Sequence, residues 1–105
     1  MIVVVTKLGV RGMALYPFIL IRNPKDRYDF QLIQHELIHH KQQIELLILP
    51  FYIFYLLEYL YHRFKGRNHN EAYLNISFEK EAYLNDDDEN YLQNRKLWSF
   101  MRYLN

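Results

Sequence analysis

The sequence contains no cysteine. Disulfides and thiolate metal sites are therefore excluded, and any metal must be held by histidine and carboxylate. The lack of thiols fits any redox compartment. Net charge is also nearly absent, +1 from 13 basic and 12 acidic residues, so bulk electrostatic binding to nucleic acid is not expected. No stretch has the roughly 20 apolar residues of a membrane span. Leu46–Leu57 comes nearest, with twelve residues free of charge between Glu45 and Glu58. The apolar start Met1–Val5 has no basic region before it and Lys7 interrupts it, so no secretory signal is expected and a cytoplasmic chain is. Repeats and low-complexity linkers are missing too. With 105 residues, that points to one domain over 1–105.

What is present is apolar and aromatic. Half of the residues are hydrophobic and ten are tyrosines, which suit boundaries between apolar and wet regions. The β-branched residues 1–6 read as a strand and Leu15–Arg22 as a second, with Pro17 at an edge or a strand start. Together they predict a short antiparallel hairpin. A helix capped by Asp26 or Asp29 is predicted to run to about Leu49. Phe30, Ile33, Leu37, Ile44 and Ile48 form its expected core stripe. Leu32, His35, Glu36, His39, Gln42 and Leu46 form another, about 100° round the helix.

Pro50 ends that helix and opens the next, 50–64, which is apolar nearly all round and so expected to be buried or membrane-facing. Gly66 caps it, beside a basic patch of His62, Arg63, Lys65, Arg67 and His69. A helical turn over 70–75 follows, then a helix capped by Ser77, a solvated loop at Asp86–Glu89, and a last helix carrying Tyr91 to Leu104. The class is α+β, mainly α.

The chemistry concentrates at His35-Glu36-Leu37-Ile38-His39, which reads H-E-x-x-H. Two histidines four apart on a helix point at one metal ion, and the glutamate between them lies close enough to act as base on a metal-bound water. A di-iron site would need a second E-x-x-H, which the chain lacks. The third ligand must come from elsewhere. His40 points about 100° away, and Glu45 lies too far along the same helix. Glu58, in the apolar helix, needs a partner such as Arg63 or Lys65, or a place beside the site. Gln42 is one turn beyond His39, either on the site or as a polar rim residue.

His35-Glu36-Leu37-Ile38-His39, followed by Phe78-Glu79-Lys80-Glu81-Ala82, resembles the gluzincin type of zinc metallopeptidase. In those proteins a glutamate on a later helix completes the site in a pattern E-x-x-A-[DN]. The membrane-associated prenyl-protein peptidases and the small phage-repressor-cleaving metallopeptidases share it. Most of the chain is also similar to a family of small bacterial proteins of uncharacterised activity. The matching segments are His35 to Gln42, Phe51 to Glu58 and Ser77 to Tyr83.

The resemblance implies a minimal zincin-like domain with zinc on His35, His39 and Glu79, and Glu36 as the catalytic base. Tyr83 departs from the pattern, which has Asp or Asn there to support a ligand histidine. Glu81 is the rival third ligand, with Asn85 four residues beyond it. Tyr73 and Tyr83 flank the ligand helix and are candidates to stabilise an oxyanion. Two functions are expected on these grounds. The first is a zinc-dependent hydrolase acting on a peptide or protein, with the strand at Leu15–Ile21 pairing to an extended substrate. The second is a non-catalytic zinc-stabilised module that binds a protein partner, or a membrane surface through residues 46–61.

Overall fold

The computed structural model describes residues 1–104. Three short strands open the chain: β1 (Ile2–Val4), β2 (Gly12–Leu15) and β3 (Phe18–Ile21). The expected antiparallel pairing of residues 1–6 with Leu15–Arg22 does not form: those segments pair parallel, and the hairpin is made by β2 and β3 instead. β2 and β3 pair antiparallel across Tyr16 and Pro17, which are joined by a cis peptide bond, with Leu15 opposite Phe18. The predicted strand Leu15–Arg22 is thus the end of β2, a turn, and β3. Pro17, which has no N–H to give a ladder, sits in the turn. β1 runs parallel to β3, with Ile2 opposite Ile19 and Val4 opposite Ile21. The order β1-β3-β2 makes β3 central and leaves β2 at an edge. Ile19 and Ile21, alternate residues of β3, face the interior and are buried.

Asn23 accepts from the Lys25 N–H at 3.0 Å and starts a 3₁₀ turn, Pro24–Tyr28. Asp29 then accepts from the Leu32 N–H at 3.2 Å and caps α1 (Phe30–Glu45). Helix α1 ends four residues before Leu49. Leu47 and Ile48 adopt φ of 58° and 66°, a region costly for branched side chains. The chain bends there through 111° into α2 (Leu49–Phe64), with Pro50 in its first turn. Helix α3 (His69–Leu74) is opened by a capping box between Asn68 and Glu71. Helix α4 (Ser77–Asn85) starts at Ser77 itself, so Ser77 is not the cap. Glu58 of α2 takes that role, accepting from the Ser77 N–H and Oγ at 2.8 Å each. This also gives Glu58 its partner, in place of Arg63 or Lys65. The single last helix is replaced by α5 (Tyr91–Asn94) and a 3₁₀ turn, Ser99–Tyr103, with Trp98 at φ 62° between them.

The apolar core gathers Leu46, Phe51, Ile76, Phe78 and Phe100, with Tyr55 and Tyr59 packed against it. Helix α1 contributes little to it. Phe30, Leu37, Ile44 and Ile48, four of the five predicted core residues, are exposed. The buried face of α1 is the polar one: Gln34, His35, Glu36, His39, His40, Gln42 and Gln43, with Ile38 its one apolar member. Hydropathy periodicity failed here because these groups, Glu36 apart, meet partners inside, and no fully inaccessible side-chain polar atom is left without one among the described residues. Helix α2, expected to be buried or membrane-facing, buries only Phe51 and His62.

Candidate metal centre

Helix α1 brings His35 and His39 to one side, and α4 brings Glu79 against them. His35 Nε2 and His39 Nε2 lie 3.2 Å apart, and Glu79 Oε1 is 3.2 Å from the first and 3.1 Å from the second. The three atoms make a nearly equilateral triangle. Bonds of about 2.0–2.1 Å at tetrahedral angles require ligand atoms about 3.3–3.4 Å apart, so the spacing suits a small four-coordinate ion. All three residues are buried.

The other nitrogen of each ring fixes its orientation. His35 Nδ1 is 3.0 Å from Asp86 Oδ2, and His39 Nδ1 is 2.7 Å from Gln42 Oε1. A carboxylate and an amide oxygen can only accept, so both Nδ1 atoms carry the proton and donate. The lone pairs on Nε2 are thereby free for a metal. Asp86 is in turn steadied by Gln31, whose Nε2 donates at 2.9 Å. The second oxygen of Glu79 accepts from the Tyr55 hydroxyl at 2.5 Å. Burial, then the charge of Glu79, raises the pKa of Tyr55 well above its ordinary value, so it stays a donor. Glu79 therefore offers one oxygen to the centre.

The charges agree with this arrangement. Burial alone would lower the pKa of His39, but the adjacent Glu79 carboxylate more than offsets it and raises the value to about 9. Burial likewise raises Glu79, and His39, together with hydrogen bonds from both histidines and Tyr55, holds it well below the carboxylate range. Glu36 behaves differently. It makes no hydrogen bond among the described residues, and burial raises its pKa against the pull of His39 and His35. Its Oε2 approaches Gly12 so closely that a Cβ there would lie 3.3 Å from it and 3.2 Å from Leu32 Cδ1. The backbone of β2 passes over the Glu36 carboxylate because residue 12 has no side chain.

Two cavities meet at this point. One, of about 260 Å³, is lined by β2, Phe51, Tyr52 and Tyr55 and reaches His39 and Glu79. The other, of about 580 Å³, is lined by Arg11, Asp29, Gln31, His69, Asn70 and Asp86. Both share Gly12, His35, Glu36 and Tyr73. A cleft thus crosses the centre, apolar on one side and polar on the other. Strand β3 is central and cannot pair with a ligand, which removes Leu15–Ile21 as a docking strand. The open edge is β2. Arg22 N–H donates to Arg11 O, so by alternation Gly12 and Ala14 turn their backbone groups outward. Gln43 covers the far part: it donates to Ala14 O at 2.9 Å and accepts from Tyr16 N–H at 2.9 Å, as a neighbouring strand would.

The remaining predicted residues fall into place around this core. Glu81 is fully buried and turned away from the centre, held by Arg95 Nε at 2.5 Å, the Tyr91 hydroxyl at 2.6 Å and Gln42 Nε2 at 2.9 Å. Arg95 also holds Glu45 at 2.7 Å. Gln42 is a buried bridge between His39 and Glu81, not a rim residue. His40 Nε2 donates away from the centre, to Phe18 O at 2.9 Å. Tyr83 lays its ring edge-on to His35, with centroids 4.4 Å apart, and its hydroxyl meets that of Tyr73 at 3.0 Å. Asn85 donates to the backbone carbonyl of Glu81 at 2.7 Å and to the Tyr103 hydroxyl at 3.1 Å, and does not touch the Glu81 carboxylate.

Asp86, Tyr55 and Arg95 escaped the sequence reading. Asp86 carried a signal, since it stands seven residues after Glu79 and so on the same helical face, but the acidic run reads as a solvated loop. Arg95 could have been sought as the cation that a buried Glu81 requires. Tyr55 lies in the segment Phe51 to Glu58 that carries the resemblance, but nothing there assigns it a role. No protein-family model, curated protein or solved structure matches the chain.

Proposed function

We propose that the chain is a zinc-dependent hydrolase of peptide bonds, a minimal metallopeptidase of the gluzincin type. The observation that carries this reading is the triangle of His35 Nε2, His39 Nε2 and Glu79 Oε1, both rings locked by Nδ1, with an unengaged Glu36 carboxylate beside it in a cleft. Zinc fits a set of two imidazoles and one carboxylate, and when bound supplies Lewis acidity toward a carbonyl and a lowered pKa for a coordinated water.

The chain's own residues supply the rest. Glu36 takes a proton from the attacking water and passes it to the leaving amine. Its raised pKa suits that return transfer. Gly12 N–H and C=O, on the open part of β2, hydrogen-bond the substrate backbone and hold it over Glu36. Tyr73 lines both cavities, and burial raises its pKa, so it stays a neutral donor able to face a developing oxyanion.

The test is metal analysis with a fluorogenic peptide library. The expected result is one zinc per chain and cleavage that falls by roughly 100- to 10,000-fold in Glu36→Gln with zinc retained. Absence of zinc from both the purified and the reconstituted protein would refute the metal assignment. Zinc binding with no cleavage, and a partner-binding function insensitive to Glu36→Gln, would favour the non-catalytic module instead.

A further inference from the structure

Helix α2 presents an apolar stripe to solvent. Leu49, Ile53, Leu56, Leu57, Leu60 and Phe64 recur at helical spacing over an arc of about 100°. All six are exposed, Leu49 by 68% and Phe64 by 89%. The opposite face, from Phe51 through Tyr55 and Glu58 to His62, is the one that packs inward. The helix therefore has two apolar faces and the fold uses one. A stripe this regular is costly to leave in water.

Charge identifies what covers it. The only acidic residue in α2, Glu58, is turned inward onto Ser77. At the end of the stripe stand Arg63, Lys65 and Arg67, with Arg63 at its margin and Lys65 just past the last helical residue. Lys65 Nζ lies 5.0 Å from the centre of the exposed Tyr61 ring. Apolar residues bordered by tyrosine and basic side chains, with no exposed acid, suit a bilayer interface bearing anionic headgroups. No described helix is long and apolar enough to cross a membrane.

We infer that α2 lies in the surface of an anionic membrane, with Leu49 to Phe64 entering the acyl boundary and Arg63 and Lys65 meeting lipid phosphates. Tyr52, on the margin of the stripe, also lines the apolar cavity, so docking brings that side of the cleft to the bilayer.

The test is co-sedimentation of the full chain with vesicles of phosphatidylcholine alone or mixed with phosphatidylglycerol, with and without added zinc. Binding is expected on the mixed vesicles, weaker on the neutral ones, and in both metal states, which keeps it separate from the hydrolase reading. Leu56→Gln with Leu60→Gln should lower partition roughly tenfold or more. Ile53→Gln with Leu57→Gln is an independent pair with the same expectation, and unchanged circular dichroism checks the fold of each. Arg63→Gln with Lys65→Gln should remove the preference for anionic vesicles. No binding to either vesicle, or binding that survives both leucine-containing pairs, would overturn the inference. So would a doubled mass in sedimentation without lipid that reverts in those variants, since a second copy would then own the face.

Discussion

The His39–Glu79 contact predicts an unusual pH dependence for the metal-free protein. In that state the corner is held by a proton: with a pKa of about 9, His39 is an imidazolium at neutral pH, close against Glu79 Oε1 at 3.1 Å. The ordinary value, 6.5, applies in the unfolded chain. A folded value above the unfolded one gives stability that is fully present below about pH 6.5 and lost as pH rises toward about 9. At about 1.4 kcal/mol per pH unit, the interval amounts to roughly 3 kcal/mol. The lowered pKa of Glu79 describes the same contact from the other side and is not added. Its contribution is present above the ordinary 4.5 and lost as pH falls. His40 and His62, whose pKa values burial lowers, act below pH 6.5 by resisting protonation, and so leave the window clear.

The assay is urea unfolding of chelator-treated protein at intervals from about pH 6 to about pH 9. Unfolding free energy should fall through the window, by a few kcal/mol in all, and the fall should vanish in Glu79→Gln. With zinc present the trend reverses, because the metal displaces the proton and binds more tightly as pH rises. Calorimetry in buffers of different ionisation enthalpy should count about one proton released near neutral pH. A flat profile for the metal-free protein, or the same slope in Glu79→Gln, would refute the reasoning.

Three more outcomes follow from contacts around the centre. Asp86→Ala should weaken zinc binding by roughly 10- to 100-fold in competition with a chromophoric chelator, because His35 loses the acceptor that orients it. Arg95→Met leaves Glu81 and Glu45 buried without a counter-charge and should cost about 3–5 kcal/mol in chemical denaturation. Gly12→Val places methyl groups against Leu32 and Glu36, so turnover should fall while metal content stays the same.

Much of the centre is legible in the chain. H-E-x-x-H on a helix brings His35 and His39 to one face with Glu36 beside them by geometry alone, and the resemblance adds Glu79. The choice between Glu79 and Glu81 is not legible, because it depends on which carboxylate finds a cation. Arg95, fourteen residues beyond Glu81, comes back from after α5 to supply one. The apolar stripes of α1 and α2 mislead for a related reason. Periodicity identifies an amphipathic helix but not which face turns inward when the polar face has partners of its own. Gln43 illustrates this: its burial depends on Ala14 and Tyr16, residues that no local pattern links to it. The parallel pairing of β1 with β3 depends likewise on a register between segments that the hairpin separates.

The buried face of α1 then explains why a cation belongs at this corner. Its amides are satisfied by fixed partners: Gln34 by Asn85 O and Asp88 O, Gln42 by Phe78 O and Glu81, Gln43 by Ala14 O. His35 and His39 are different. Each gives its Nδ1 proton outward, which turns two Nε2 atoms toward each other at 3.2 Å with a single carboxylate oxygen between them. Two bare lone pairs and an anionic oxygen at that spacing repel, and burial of the three side chains strengthens the repulsion. The triangle is stable only with positive charge at its centre. A proton on one nitrogen meets the need in part, since it serves one contact and leaves the other ring unpaired. A divalent ion serves all three atoms at once. A proton and a metal ion would therefore compete for one corner of the same helix face, and that competition would couple the pH profile of folding to metal content.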